Sequence, residues 1–176
     1  MSLAYFTRTA QTLLLPRRLS RHCSRTHRAK TVTLDRQSSP CTLRGVSSAI
    51  AAVSEYLEAF TRSDPDAIAS YVSDGFRNEH LSELGSSCLG RVEYRRRLPH
   101  FLAAFADRRY SIVDVIEQRR DSCTELAVRY RFEAKYEDKQ IEIPGVMWFS
   151  VRDDLITKRI DTWDSLTFLK QTGQHD

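Results

Sequence analysis

Two acids near the end of the chain, Asp161 and Asp164, and a histidine far upstream, His80, are the residues best suited to chemistry. Asp161 lies in Leu155–Trp163, a run rich in Ile, Thr and Leu that ends in Trp and reads as a β-strand. A carboxylate on such a strand is paired, exposed on the outer face, or held in a pocket. In an apolar pocket its ionised form is destabilised, and its pKa rises toward the range useful for taking a proton from a carbon beside a carbonyl. Paired with Lys158 or Arg159 on the outer face, it does no chemistry.

His80 closes the segment Phe76-Arg77-Asn78-Glu79-His80, where strand alternation sets Phe76, Asn78 and His80 on one face and Arg77 and Glu79 on the other. A neutral histidine can serve as the partner acid, or donate a hydrogen bond to a developing oxyanion with Asn78 beside it. The plainer alternative is a loop-end histidine. Glu79 points away unless a bulge reverses the face. Asp164, followed by Ser165-Leu166, suits the N-cap of a closing helix, and it takes over the chemical role if strand geometry fails at this end.

The elements that must position these groups follow from periodicity. Val46, Ile50, Val53, Leu57 and Phe60 recur at three- and four-residue steps and predict an amphipathic helix, with Tyr56 beside its apolar stripe. Asp64-Pro65 starts a second helix. Val92, Leu98, Phe101, Leu102 and Phe105 predict a third, which Pro99 should kink or divide. The basic triplet Arg95-Arg96-Arg97 reads as a solvated helix face, with phosphate binding as the alternative. Residues 82–90 read as a loop without pattern.

Strands then dominate. Leu126, Val128, Tyr130, Phe132, Ala134 and Tyr136 alternate with Arg129, Arg131, Glu133 and Lys135, so one face is dry and the other wet. Pro144-Gly145 should break the following ladder with a bend or bulge. Arg152-Asp153-Asp154 turns the chain into the last strand. Helices followed by antiparallel strands describe an α+β domain whose bent sheet wraps helices and leaves a cavity suited to a small ligand.

Composition narrows the partners. The net charge of +4 over 176 residues is uneven: residues 1–40 hold eight basic residues and one acid, the rest 19 basic and 22 acidic. The basic character thus belongs to the N-terminal segment, and nucleic-acid binding by the folded part loses its support. That segment, rich in Arg, Ser and Thr, reads as a tail, an upstream false start, or a mitochondrial transit peptide. Its alternatives place the protein in the cytoplasm or the mitochondrial matrix. Cys23, Cys41, Cys88 and Cys123 form no CxxC pair, so no zinc or redox motif is suggested. No stretch reaches the roughly 20 apolar residues of a membrane span.

The ordered set of the opening helix AIAAVSEYLEAFTRSDPDAIASYVSDGF, the N-E-H segment at residues 78–80, Gly90, the I-P-G-V-M-W-F strand and the ending R-I-D-T-W-D-S-L-T-F-L-K-Q-T-G resembles the nuclear-transport-factor-2-like superfamily and its SnoaL-like group. The resemblance covers residues 46–173, giving an expected division into a 1–44 tail, a 45–173 SnoaL-like domain and a 174–176 tail. It implies a cone-shaped α+β barrel of a curved, mostly antiparallel sheet, a homodimer through that sheet, and a pocket on its concave face. It also implies acid–base chemistry without metal or organic cofactor in the catalytic members, and binding alone in others, so fold does not choose between them. Asp161 matches the first acid of the W-D-x-x-D-like ending of SnoaL-like cyclases, with Ile160 where that pattern often has Trp.

Three functions follow. The first is an isomerase, cyclase or hydrolase of a hydrophobic carbonyl or epoxide compound, with Asp161 and His80 catalytic. The second is a binding module for a hydrophobic ligand, and the third a dimeric interaction domain. Tyr56, Tyr130, Phe132, Met147, Phe149 and Trp163 belong to the core or line the pocket with Asn78, and their abundance favours an apolar, aromatic or polycyclic ligand.

Overall fold

A computed structural model describes residues 47–175. The basic segment 1–40 lies outside them. Helix α1 (Ser48–Ala59) starts at Ser47, whose hydroxyl accepts the amide of Ile50, and a 3-10 turn over Phe60–Arg62 ends it. Helix α2 (Pro65–Ser70) is capped by Asp64, which accepts from the amides of Asp66 and Ala67. Strands β1 (Val72–His80) and β2 (Cys88–Leu89) precede helix α3 (Arg91–Ala104), and β2 lies within the stretch read as patternless loop. Strands β3 (Phe105–Arg119), β4 (Thr124–Tyr136), β5 (Lys139–Arg152) and β6 (Leu155–Trp163) follow, and helix α4 (Ser165–Thr172) closes the domain.

The six strands form one curved open sheet in the order β2-β1-β6-β5-β4-β3. Only β1 and β6 run parallel, which brings an early strand beside the last one. That pairing sets Asn78 next to Arg159 and His80 next to Asp161. The fold is the α+β cone architecture of a sheet curved over helices.

Neither Pro99 nor Pro144 interrupts its element. Helix α3 runs through Pro99 without interruption. Both Pro99 and Arg95, whose carbonyl the missing N–H would have bonded, lie on the exposed side of the helix, where the lost bond costs least. Between β4 and β5 the register is unbroken from Thr124↔Val151 to Tyr136↔Lys139, with no bulge at Pro144-Gly145. The Pro144 carbonyl accepts from the Asp164 amide at 3.2 Å, so its nitrogen faces the same side, just past the last β6 pair, where no ladder donor is needed. The bulge lies instead in β6, between the pairs Ser150↔Lys158 and Val151↔Ile156.

Asp153 and Asp154 both adopt left-handed φ, at 50° and 59°, the geometry of a two-residue hairpin turn joining β5 to β6. On α3 the buried stripe is Tyr94 and Leu98 with half-buried Phe101, whereas Val92 is 82 % exposed. The inward faces of α1 and the sheet meet at Val53, Tyr56, Leu57, Val128, Met147 and Phe149, each 1 % exposed or less. Burying one such side chain stabilises the fold by roughly 1.5–3 kcal/mol.

Arg108, near the start of β3, ties the α3–β3 junction to the end of the first helix. It donates to the carbonyls of Phe60 at 3.0 Å and Leu102 at 2.9 Å, to that of Phe105, and to the Ser63 hydroxyl. No helix among the described residues is long and apolar enough to cross a membrane.

Candidate functional site

Asp161 faces inward. The β6 bulge shifts the strand's parity, so Ile156 before it and Arg159 and Asp161 after it all point to the concave face, each 5 % exposed or less. Met147 of β5 and His80 of β1 flank Asp161 in register. Arg159, expected as a pairing partner on the outer face, is instead a neighbour inside. Its place two residues before Asp161 is the strand period, and that was the available signal.

One carboxylate oxygen of Asp161 has a hydrogen-bond donor and the other a near neighbour. The Tyr130 hydroxyl donates to Asp161 Oδ1 at 2.7 Å. Nδ1 of His80 lies 3.8 Å from Oδ2, which is too long for a hydrogen bond. It is not an ion pair either: burial, then the charge of Arg159, pushes the His80 pKa down to about 3, so the ring is neutral near pH 7. Nε2 of His80 lies 3.1 Å from Nη2 of Arg159. A guanidinium only donates, so Nε2 accepts and the ring proton sits on Nδ1, aimed at Asp161.

Arg159 extends the cluster toward the helices. Its Nη1 donates at 2.7 Å to the Tyr56 hydroxyl, which lies 2.5 Å from that of Tyr94, and its guanidinium stands 5.9 Å from the centre of the Tyr94 ring. Burial by itself would lower the Arg159 pKa, but Tyr56, Tyr94 and Asp161 hold it above the usual value, so it stays a cation. Burial drives the Asp161 carboxyl up, with Arg159 and the Tyr130 hydroxyl pulling the other way. Burial also raises Tyr130 and Tyr110, and the Asp161 charge adds to both, so these phenols stay protonated donors.

Three buried polar atoms of the cluster have no hydrogen-bond partner among the described residues: Asn78 Oδ1, His80 Nδ1 and Arg159 Nε. They offer one acceptor and two donors on adjacent strand positions. Leaving such a group unpaired costs about 1–3 kcal/mol, so a polar ligand atom or water there is stabilised.

The segment 81–87 lies against the end of this cluster. The Leu81 amide donates to the Asp161 carbonyl at 2.9 Å, and the Ser82 hydroxyl donates to the Trp163 carbonyl at 2.6 Å while accepting the Trp163 amide at 2.8 Å. A Cβ at Gly85 would overlap that of His80 and lie 3.0 Å from its Cγ.

The other candidate residues separate. Tyr56 and Phe149 touch edge-on beside Arg159, with ring centres 6.0 Å apart. Phe132 packs instead on Phe101, Phe105 and Tyr110, and Trp163 on Phe168 of α4. Glu79 points away, in an ion pair with Arg77 at 2.9 Å. Asp164 caps α4, accepting from the Thr167 amide at 3.0 Å and its hydroxyl at 2.6 Å. Arg95 pairs with Asp66, and Arg96 and Arg97 with Glu93, so the basic triplet does not converge on one point.

Tyr94, Tyr110 and Arg159 are the members of the cluster that sequence reasoning missed. The expected concave space is filled beside Asp161 by these side chains and by Tyr56 and Met147. A groove of about 660 Å³ lies between α1 and β3, lined by Leu57, Glu55, Glu58, Arg62, Tyr71 and Tyr110 among others. Tyr110 connects it to the cluster, since its ring lies 5.4 Å from that of Tyr130.

Known structures share this architecture. One is a protein of ketosteroid isomerase-like fold from Catenulispora acidiphila in complex with trimethylamine, at 15 % identity and TM-score 0.61 over 69 % of this chain and 92 % of that one. Another is an LEH-like epoxide hydrolase of M. tuberculosis, at 17 % identity and TM-score 0.60 over 72 % and 90 %. A third is the pinacolase BvnE of Penicillium brevicompactum, at 14 % identity and TM-score 0.62 over 72 % and 93 %. At these identities the likeness is one of fold. No curated protein matches the sequence. The family model of the SnoaL-like domain matches residues 53–159, more than half of the chain, and takes in the cluster residues from Tyr56 to Arg159; the chain belongs to the SnoaL-like domain family.

Proposed function

We propose that this protein is a cofactor-independent acid–base enzyme, an isomerase, cyclase or hydrolase, acting on a hydrophobic carbonyl or epoxide compound. One observation carries the reading: a carboxyl 4 % exposed, Asp161, stands between a phenol donor, a neutral imidazole and a buried guanidinium on the concave face. Burial raises its proton affinity, which makes the carboxylate a stronger base than one in water. In this reading Asp161 takes or gives the proton. Tyr130 orients it through Oδ1, the His80 Nδ1–H beside it is free to donate to the substrate, and Arg159, held by Tyr56, stabilises negative charge developing on the substrate. Asn78 offers a polar contact, and Tyr56, Tyr130, Met147 and Phe149 give the site its apolar walls. The groove beside Tyr110 is the approach.

The test uses two probe sets: apolar ketones in deuterated water, with exchange at the carbon beside the carbonyl read by NMR, and cyclic epoxides in ¹⁸O-water, with label in the diol read by mass spectrometry. Turnover of one set, reduced about 10²–10⁴-fold by Asp161→Asn, is the expected result. Turnover that survives the substitution assigns the base elsewhere.

The filled interior beside Asp161 favours a second reading, a non-catalytic module that binds an apolar ligand by displacing side chains. Tight binding of a probe without conversion supports it. Under either reading we propose a homodimer through the outer sheet face, where Ile116, Ala127, Trp148 and Ile160 line up across four strands and Ile116 is 69 % exposed. Location in the cytoplasm, or the mitochondrial matrix if residues 1–40 are a transit peptide, completes the proposal.

A further inference from the structure

Gly145 stands in the middle of β5, opposite Tyr130 on β4 and Trp163 on β6. A glycine inside a strand weakens it, and this one has no backbone reason to be there, because its φ is not positive. What excludes a side chain is the Tyr130 phenol. A Cβ at Gly145 would overlap the phenol oxygen and lie 2.5 Å from Cζ and 2.8 Å from Cε1. The same phenol donates to Asp161 Oδ1, on the strand beyond. Tyr130 therefore lies across the place where β5 carries no side chain, between the buried Ile143 and Met147, and reaches β6 by crossing it.

We propose that Gly145 is a positioning residue for Asp161: by leaving β5 bare at this point, it lets the Tyr130 hydroxyl reach Oδ1 and orient the carboxylate. A methyl group at position 145 lifts the ring and breaks that bond. Asp161 then keeps Arg159, His80, Tyr56 and Tyr110 as its charged and titratable neighbours but loses its direct donor. In the acid–base reading, on which the consequence for turnover rests, the loss misdirects the proton.

The test reads Asp161 itself, by ¹³C NMR titration of its carboxyl in the full-length protein. Gly145→Ala should raise the titration midpoint by roughly one pH unit, and Tyr130→Phe should raise it equally, because in each one hydrogen bond favouring the ionised form is gone. In a Tyr130→Leu background, Gly145→Ala should add nothing. A midpoint unmoved by Gly145→Ala, or moved equally in the Tyr130→Leu background, overturns the proposal. Should Gly145→Ala fail to fold, the double variant with Tyr130→Leu must regain the native circular dichroism and cooperative melting, and a double variant that stays unfolded also overturns it. The titration needs no substrate, so inactivity toward every ketone and epoxide probe defeats the catalytic reading and leaves this result standing.

Discussion

Nη2 of Arg159 donates to Nε2 of His80 at 3.1 Å, and this one bond fixes the imidazole as the neutral tautomer with its proton on Nδ1, toward Asp161. Protonating that ring would set a second cation against a guanidinium that is itself buried. The low pKa of His80, about 3, follows from burial first and from Arg159 second.

A stability-against-pH consequence follows. Between the ordinary histidine value of 6.5 and about 3, the unfolded chain binds a proton at His80 that the folded chain refuses. The fold therefore loses stability as pH falls through that window, at up to roughly 1.4 kcal/mol per pH unit. Asp161 works in the opposite sense, because its raised pKa makes the folded state bind a proton more tightly than the unfolded chain. Urea unfolding of the wild type and His80→Gln from pH 7 to pH 4 separates the two: the variant should lose less stability on acidification. Parallel curves would show that His80 titrates normally.

Replacing Arg159 by methionine removes the cation from a buried cluster and leaves the Asp161 carboxylate, the Tyr56 hydroxyl and His80 Nε2 without it. Breaking a buried charge arrangement from one side costs about 3–5 kcal/mol. Chemical denaturation near pH 7 should show a loss of that size, shrinking at lower pH as Asp161 takes a proton. A loss under 1 kcal/mol at pH 7 argues that the cluster is solvated.

Arg108 is a structural cation rather than a functional one, since its acceptors are three backbone carbonyls and a hydroxyl. Arg108→Leu removes the donor shared by these groups, and a destabilisation of about 2–4 kcal/mol is expected. The Asp161 carboxyl titration should not move, and a shift there would tie the turn at Phe105 to the site.

Trp148 and Ile116 sit on the same outer row of the sheet, 39 % and 69 % exposed. The double substitution Ile116→Asp, Trp148→Lys should convert a dimer to a monomer at micromolar concentration in analytical ultracentrifugation. A wild type already monomeric there removes the basis for a sheet-mediated dimer.

Much of this fold was legible because local chemistry and global burial agree. The eleven-residue alternation of β4 has its dry side inside, from Leu126 to Ala134. Asp64-Pro65 and Asp164-Ser165 start helices because a carboxylate at the N-cap satisfies amides that any helix start leaves free. The errors came where a local rule depends on surroundings. Proline disrupts a helix or ladder only if the lost donor was needed, and at Pro99 and Pro144 it was not.

By itself the sequence determined most of the element types, the dry and wet faces of β4, the family, and the separation of Asp164 as a cap from Asp161 as the candidate acid. Only the tertiary structure decided that Asp161 shares its enclosure with Arg159, Tyr130 and His80, and that Tyr94 and Tyr110 complete the cluster. The reason is that alternation orders residues within one strand, whereas the bulge before Arg159, the parallel pairing of β1 with β6 and the bare backbone at Gly145 are relations between strands. No single segment carries them, and they place the acid beside the groups that set its proton affinity.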